Sequence, residues 1–415
     1  MVCSDYAIRS QSIEKNVFNH SYSNSHHRAK KNIKNQNSNS CKMISKLLLF
    51  EDLRFHILTF VPLNSLLHST RYVCKSWAAT IRNSQFVEVC KHHERSQLAR
   101  SKPGLYVQNL MTQSNSYFLE FNDSNGQFER TYFLGTPQRM GDIIGTCDGL
   151  LLLSNFNKRI FVVNPLLKSW LRIPPFPNSQ KYIQVTCRCT IVRVPRTGNF
   201  KLFFVDVRKI HNSFQYVFYV HRIGIDRSWT VIARQETSLQ QHYLWQTLYT
   251  GGNDIYWITK KEVIVMDVDR EIIIRGYPLP HVPNSLIPKY LWMGNRLSCI
   301  ASKEFYRTYQ IFILDLDSGK WSLYHEMGPF DYVSACGQEL QILFVAFRLW
   351  INDQIIFKVA LSKNLIGDIS SGQKNIHFGY NVKTRQLTMN EGIDVGDFDV
   401  WFHINSLVSL PSTPT

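Results

Sequence analysis

No apolar run in this chain is long enough to cross a bilayer. The longest, such as Leu340 to Phe347, fall far short of the roughly 20 residues a spanning helix needs. The first residues lack the apolar h-region of a secretory signal, so a cytoplasmic and/or nuclear placement is expected. Cysteine is sparse: nine residues, an odd number, with Cys187-Arg188-Cys189 the only close pair. A two-residue step rarely builds a zinc site alone, so reduced, mostly buried thiols are expected. There is no Gly-x-Ser-x-Gly elbow, no Gly-x-x-x-x-Gly-Lys-Ser/Thr loop, no dinucleotide fingerprint and no His-Glu-x-x-His pair. No catalytic residue, cofactor or metal is therefore implied. Asp267-Val268-Asp269 and Asp315-Leu316-Asp317 have a metal-binding look, but both fall at hairpin turns. Asp394, Asp397 and Asp399 read as a surface loop, and His92 and His93 as a solvated helix face.

What is present is aromatic bulk and positive charge. The 415 residues are 44% hydrophobic, with 26 Phe, 19 Tyr and 9 Trp, which suits packed sheets. A net charge of +16 favours acidic partners and leaves nucleic acid open as one. Part of that charge lies in residues 1–42, rich in Asn, Ser, His and Lys and including His26-His27-Arg28-Ala29-Lys30-Lys31. That segment has no apolar periodicity and reads as a solvated disordered tail, with a weak nuclear-localisation patch as the rival reading.

Residues 49–86 are helical in pattern. Leu53, Ile57 and Leu58 share one face, Pro62 can open a second helix covering Leu63, Leu66 and Leu67, and Val73, Trp77 and Ile81 recur at steps of four. Three short helices cannot hide so many large side chains among themselves, so a partner surface is expected. The segment resembles an F-box on four blocks: Leu49-Phe50-Glu51-Asp52-Leu53, Ile57-Leu58, Val61-Pro62-Leu63-Asn64-Ser65-Leu66 and Val73-Cys74-Lys75-Ser76-Trp77. Phe50 replaces the family's first proline and Val61 a leucine. The resemblance implies binding to a Skp-type adaptor, and through it indirectly to a cullin scaffold. By position the contacts fall on Leu49, Phe50, Ile57, Leu58, Pro62, Leu66, Val73, Cys74 and Trp77. Phe86, Val89, Cys90 and His93 continue an amphipathic linker helix over 87–103, closed by Pro103-Gly104.

From Gly104 onward short β-rich runs dominate. One unit recurs: a strand, then Asn or Asp, then a polar turn, then a large apolar residue six places on. It occurs as Asn122/Phe128, Asn164/Trp170, Asp267/Ile273, Asp315/Trp321 and Asn381/Leu387, and a sixth copy ends at Trp229 with Ile223 in the Asx position. The Asx residue caps the turn and the distal residue returns to the packed face. The spacing is close to that of propeller blades. Leu340 to Ala360 can supply strands the turn template misses, and the stretches around His211 to Tyr216 and Ser362 to Gln373 look like insertions suited to target binding.

Cys147-Asp148-Gly149-Leu150-Leu151-Leu152, Val163-Asn164-Pro165-Leu166-Leu167-Lys168-Ser169-Trp170, Ile173-Pro174-Pro175, Ile255-Tyr256-Trp257 and Asn405-Ser406-Leu407-Val408-Ser409-Leu410 resemble plant F-box proteins with a kelch-like, F-box-associated domain. Only Gly251-Gly252 matches kelch glycine pairs. The expected architecture is α+β multidomain: a disordered basic tail (1–42), a small three-helix F-box (43–86), a linker helix (87–103) and an all-β propeller of six or seven kelch-like blades (104–411). The resemblance implies a non-catalytic substrate-recognition subunit of an SCF-type (Skp–cullin–F-box) ubiquitin ligase, holding an unknown target protein for ubiquitination through substrate-binding residues the sequence does not identify. Two other readings are a nucleic-acid-binding propeller, disfavoured because Lys and Arg look spread over the propeller, and a propeller enzyme or sugar binder using the central channel. No membrane partner is expected.

Overall fold

The computed structural model describes residues 51–61, 65–66, 69–83, 85–86 and 89 near the N-terminus and most of 103–410. The longer omissions in the second range are 110–115, 133–139, 178–187, 333–340 and 363–373. The expected tail (1–42) and nearly all of the linker lie outside the described residues, as do most of Ser362 to Gln373 and residues 394–397. The chain divides into two compact units between Leu58 and Thr59.

In the first unit the described residues belong to α1 (51–59). Near the start of the second unit stand a short 3-10 turn, Thr70–Tyr72, and α2 (Lys75–Arg82). Cys74 is extended (φ −161°) and is the N-cap of α2, so Val73 precedes the helix instead of sharing a face with Trp77 and Ile81.

The remainder is an all-β propeller of six four-stranded antiparallel sheets. Blade I holds β1 (Gly104–Asn109), β2 (Tyr117–Asn122) and β3 (Gln127–Tyr132), with β24 (Phe398–His403) arriving from the far end of the chain. Blade II is β4 (Asp142–Cys147), β5 (Leu150–Ser154), β6 (Ile160–Asn164) and β7 (Ser169–Ile173). Blade III is β8 (Cys189–Arg193), β9 (Phe200–Ile210), β10 (Ser213–Arg222) and β11 (Thr230–Thr237). Blade IV is β12 (Leu244–Tyr249), β13 (Asp254–Thr259), β14 (Glu262–Asp267) and β15 (Ile272–Pro278). Blade V is β16 (Lys289–Met293), β17 (Arg296–Glu304), β18 (Thr308–Leu314) and β19 (Trp321–Met327). Blade VI is β20 (Gln341–Ile351), β21 (Gln354–Ser362), β22 (Lys374–Asn381) and β23 (Gln386–Met389). Strands β4, β8, β12, β16, β20 and β24 touch in that order and close a ring, so they are the innermost strands.

Burial explains the composition of each strand position. Middle strands are covered on both faces by neighbouring blades, and they read as unbroken apolar runs: Leu150 to Leu153, Ile255 to Ile258 and Val263 to Met266 are all buried. Each such side chain contributes about 1.5–3 kcal/mol when removed from water. Outermost strands are covered on one face at most, and β11, β15, β19 and β23 are correspondingly more polar and exposed.

The recurring turn marks the last hairpin of every blade, which sets the number at six. Asn164 Oδ1 accepts from the amides of Leu166 and Leu167, each at 3.0 Å, and Asn381 Oδ1 from Lys383 and Thr384 at 3.0 and 2.9 Å. Asp267 Oδ1 takes the Arg270 amide at 2.7 Å, and Asp315 Oδ1 the Asp317 amide at 3.1 Å. In blade III, where Ile223 fills the Asx position, Asp226 Oδ2 accepts from the Arg222 amide at 2.8 Å instead. Leu340 to Ala360 supplies most of β20 and β21. The stretch from His211 to Tyr216 is the tip of the long β9–β10 hairpin, continuously paired from Ser213↔Ile210, and not an inserted loop.

The ring shuts by pairing its two ends. β24 runs antiparallel to β1 from Gly104↔His403 to Asn109↔Phe398. A side-chain seam reinforces the junction of blades I and II. The buried Gln108 donates to Gly141 O at 3.0 Å and accepts from Ile143 N at 2.9 Å, while Thr146 Oγ1 donates to Phe402 O at 2.6 Å. Beyond β24, Asn164 Nδ2 holds the carbonyls of Ser406 (3.0 Å) and Val408 (2.8 Å), and Ser406 Oγ donates to Asp148 O at 2.7 Å.

Candidate functional site

The adaptor-facing residues expected from sequence divide between the two units. In the first, Ile57 is 47% exposed and Leu53 is exposed beside it on α1, whereas Leu58 is fully buried. Leu49 and Phe50 lie outside the described residues. In the second, Val73 is 63% exposed and Phe60, Tyr72 and Cys74 are exposed too. Trp77 is half-buried, Leu66 is buried, and Pro62 lies outside the described residues. In either unit, large apolar side chains exposed in this way are the kind that a partner covers.

The propeller encloses a central cavity of about 430 Å³, lined by all six innermost strands. Its wall is mostly polar, with Thr146, Thr190, Gln246 and Thr247, and it carries the Arg348–Asp399 ion pair at 2.9 Å. Asp399 therefore lies on an innermost strand, not in the surface loop expected from sequence. Gln246 is committed to its neighbour: it donates to Tyr290 O at 2.8 Å and accepts from Tyr290 N at 3.3 Å. Among the described residues no group of three or more His, Cys, Asp or Glu could hold a metal ion. Cys147, Cys189 and Cys299 are buried and Cys74 exposed, none in a disulfide. Burial pushes the Cys299 thiol up to about 12, far from a reactive thiolate.

Charge is less evenly spread than the composition suggests. Every ionised side chain between Asp148 and Asp206 is a lysine or arginine. Some are neutralised by acids elsewhere: Arg193 meets Asp148 at 3.3 Å, Arg196 meets Asp269 at 3.8 Å, and Lys201 meets Glu271 at 2.9 Å. The rest of the stretch belongs chiefly to blade II. Summing charge over windows of the sequence, instead of over the whole chain, would have found it.

The distal residue of the turn also behaves differently in blade II. Phe128 is buried, and Trp229, Ile273, Trp321 and Leu387 are partly buried. The indoles of Trp229 and Trp321 donate to Pro174 O and Pro278 O at 3.0 and 2.8 Å. Trp170 is instead 54% exposed, touching Phe161 edge-on with ring centres 6.1 Å apart.

Comparison with known proteins fits this geometry. The F-box domain family matches residues 47–88, and the family described as KIB1-4 beta-propeller matches residues 118–339, more than half of the chain. This is an F-box protein with a six-bladed propeller. The chain belongs to the KIB1-4 beta-propeller family. No curated protein matches it. Among solved structures it is similar to an oligogalacturonate lyase from Vibrio parahaemolyticus, at 10% identity over 70% of this chain and 79% of that one (TM-score 0.40). A protein from Lactobacillus plantarum is 10% identical over 71% and 82% of the two chains (TM-score 0.38). The Cps50 (Swd1) beta-propeller domain of Myceliophteria thermophila is 12% identical over 71% and 89% (TM-score 0.33).

Proposed function

We propose that this chain is a non-catalytic substrate-recognition subunit of an SCF-type ubiquitin ligase. Its F-box, a three-helix unit over 43–86, binds a Skp-type adaptor that links to a cullin, and its kelch-like propeller over 104–411 captures a target protein. Cytoplasm and nucleus are the compartments proposed for it. The supporting observation is the exposure of Leu53, Ile57, Phe60, Tyr72 and Val73 within a segment the F-box family matches. Large apolar groups held in water are stabilised when a partner covers them, and a few such anchors dominate an interface. The proposed contact set is Leu49, Phe50, Ile57, Leu58, Pro62, Leu66, Val73, Cys74 and Trp77. Of these Ile57 and Val73 are exposed for a partner to meet directly, while Leu58 and Leu66 are buried. A subunit of this kind supplies proximity, raising the local concentration of target near a ubiquitin-conjugating enzyme.

Because Ile57 and Val73 are exposed, charging them tests binding without emptying the core. Ile57→Asp and Val73→Asp are each expected to weaken binding to a purified Skp-type adaptor by roughly thirtyfold, an anchor's share of about 2 kcal/mol. The thermal transition of the propeller should not move. Undiminished adaptor binding by both variants would refute the reading.

A further inference from the structure

We propose that the outer edge of blade II, built on Lys168, Trp170 and Arg172, docks an extended acidic segment in which carboxylates and apolar side chains take turns at every second residue, along one face. The proposal rests on the substrate-recognition reading, and names the chemistry by which the propeller takes hold of a target.

Strand β7 is the outermost of its sheet, so among the described residues no strand lies beside the backbone donors and acceptors along its free edge. Its side chains alternate strictly. Leu171 and Ile173 point into the blade II core, while Trp170 and Arg172 share the opposite face and are exposed. Lys168, also exposed, stands just before the strand at the end of the turn, with φ of 52°. Arg159 is exposed where β6 begins, next to the Ile160↔Ile173 pair. No carboxylate among the described residues pairs with Arg159, Lys168 or Arg172. Exposed cations are usually balanced by nearby acids, but this stretch of sequence contains none.

These features together favour a peptide. A strand laid along the free edge would gain backbone hydrogen bonds, as in strand addition to other sheets. Its side chains would face β7 at two-residue intervals of about 7 Å. Carboxylates would then fall opposite Lys168 and Arg172, with an apolar residue over Trp170. Trp170 suits that central position, because its ring is already held against Phe161 and loses little freedom on binding. Three unpaired cations on one short edge are few for a nucleic acid, whose affinity grows with the number of phosphates neutralised. Two other outer strands carry an acid instead: Glu326 accompanies exposed Leu323 and Tyr324 on β19, and Glu236 lies on β11.

The test uses the full chain and a fluorescein-labelled peptide of repeating Glu-Ser-Leu-Ser, which sets Glu and Leu in turn along one face, read by fluorescence anisotropy. The Glu-Ser-Leu-Ser peptide is expected to bind at least tenfold more tightly than one of equal composition with its Glu and Leu in separate blocks. The double variant Lys168→Glu with Arg172→Glu should lose at least tenfold for the Glu-Ser-Leu-Ser peptide and gain affinity for its Lys-Ser-Leu-Ser counterpart. Trp170→Ala should weaken binding while leaving the cations in place. Affinity untouched by the charge reversal would overturn the proposal, as would a single-stranded oligonucleotide that outcompetes the peptide at equal charge. Adaptor binding is measured on the same variants. Failure of the peptide with adaptor binding intact would sink this inference alone, and loss of adaptor binding in the parent chain would sink the broader reading.

Discussion

His377 and His403 are almost wholly buried, and burial pushes both imidazoles down to about 3. For His377 the cations Lys358 and Arg348 push the same way; for His403 the Asn405 side chain opposes. In the unfolded chain both would titrate near the ordinary value, so between about pH 6.5 and 3 the unfolded state binds protons that the native state refuses. Stability is therefore fully present above about pH 6.5 and falls as pH drops through that window. Each histidine should remove about 2 kcal/mol between pH 7 and pH 5. Urea unfolding at the two pH values checks this, and His377→Gln or His403→Gln should flatten the dependence; an unchanged slope would refute it. Neither burial was visible in the sequence, where both residues pass for ordinary polar positions near a chain of turns. Asn164, by contrast, was legible as a turn residue, because its cap depends on neighbours two and three positions away. Its other two bonds, to Ser406 and Val408, depend on a segment no local pattern could name.

At the scale of one element, the last hairpin of each blade repeats a backbone conformation as well as a residue type. The fourth residue after the Asx is left-handed in four blades: Lys168 (φ 52°), Glu271 (61°), Gly319 (69°) and Arg385 (58°). In three of them its amide closes the turn on the Asx carbonyl, at 2.9 Å for Glu271 and 2.8 Å for both Gly319 and Arg385. Only glycine adopts that region without steric cost. Opposite changes at equivalent places should therefore have opposite signs. Arg385→Gly should stabilise the propeller by up to about 1 kcal/mol, and Gly319→Ala should destabilise it by about as much or more. A new Cβ at Gly319 would also stand 3.3 Å from the Tyr277 ring. Thermal unfolding of the two variants decides it, and shifts of the same sign would discard the argument. The hairpins were readable because turn chemistry is local. The strands' places within a blade were not, since inner, middle and outer positions differ by what packs on them, as Asp399 on its innermost strand illustrates.

Six turns were legible in the sequence and left six or seven blades open, which the six sheets settle at six; the closure was not legible at all. Nothing in Gly104 to Asn109 names β24 as its partner, because the pairing arises from ring geometry. Removing residues 398–415 deletes an innermost strand and uncovers β1, which is otherwise paired on both sides. The truncated chain is expected to lose its single sharp calorimetric transition and the hydrogen-exchange protection of β1. A sharp transition near the parent's temperature would contradict the closure described above. The F-box segment was legible by its motif blocks, whereas which of its side chains face water became apparent only in three dimensions, with Leu58 and Ile57 adjacent in sequence yet opposite in exposure.

That joined pair of ends governs how the molecule comes into being. Gly104 and His403 are about 300 residues apart, a separation that makes their meeting among the slowest contacts to form. Blades II to VI, each woven from consecutive strands, can assemble while synthesis proceeds. The β1–β3 hairpins must wait as an open-edged arc, vulnerable to pairing with another nascent copy. Yield in a cell should thus depend less on how stable the finished ring is than on how well that waiting edge is chaperoned.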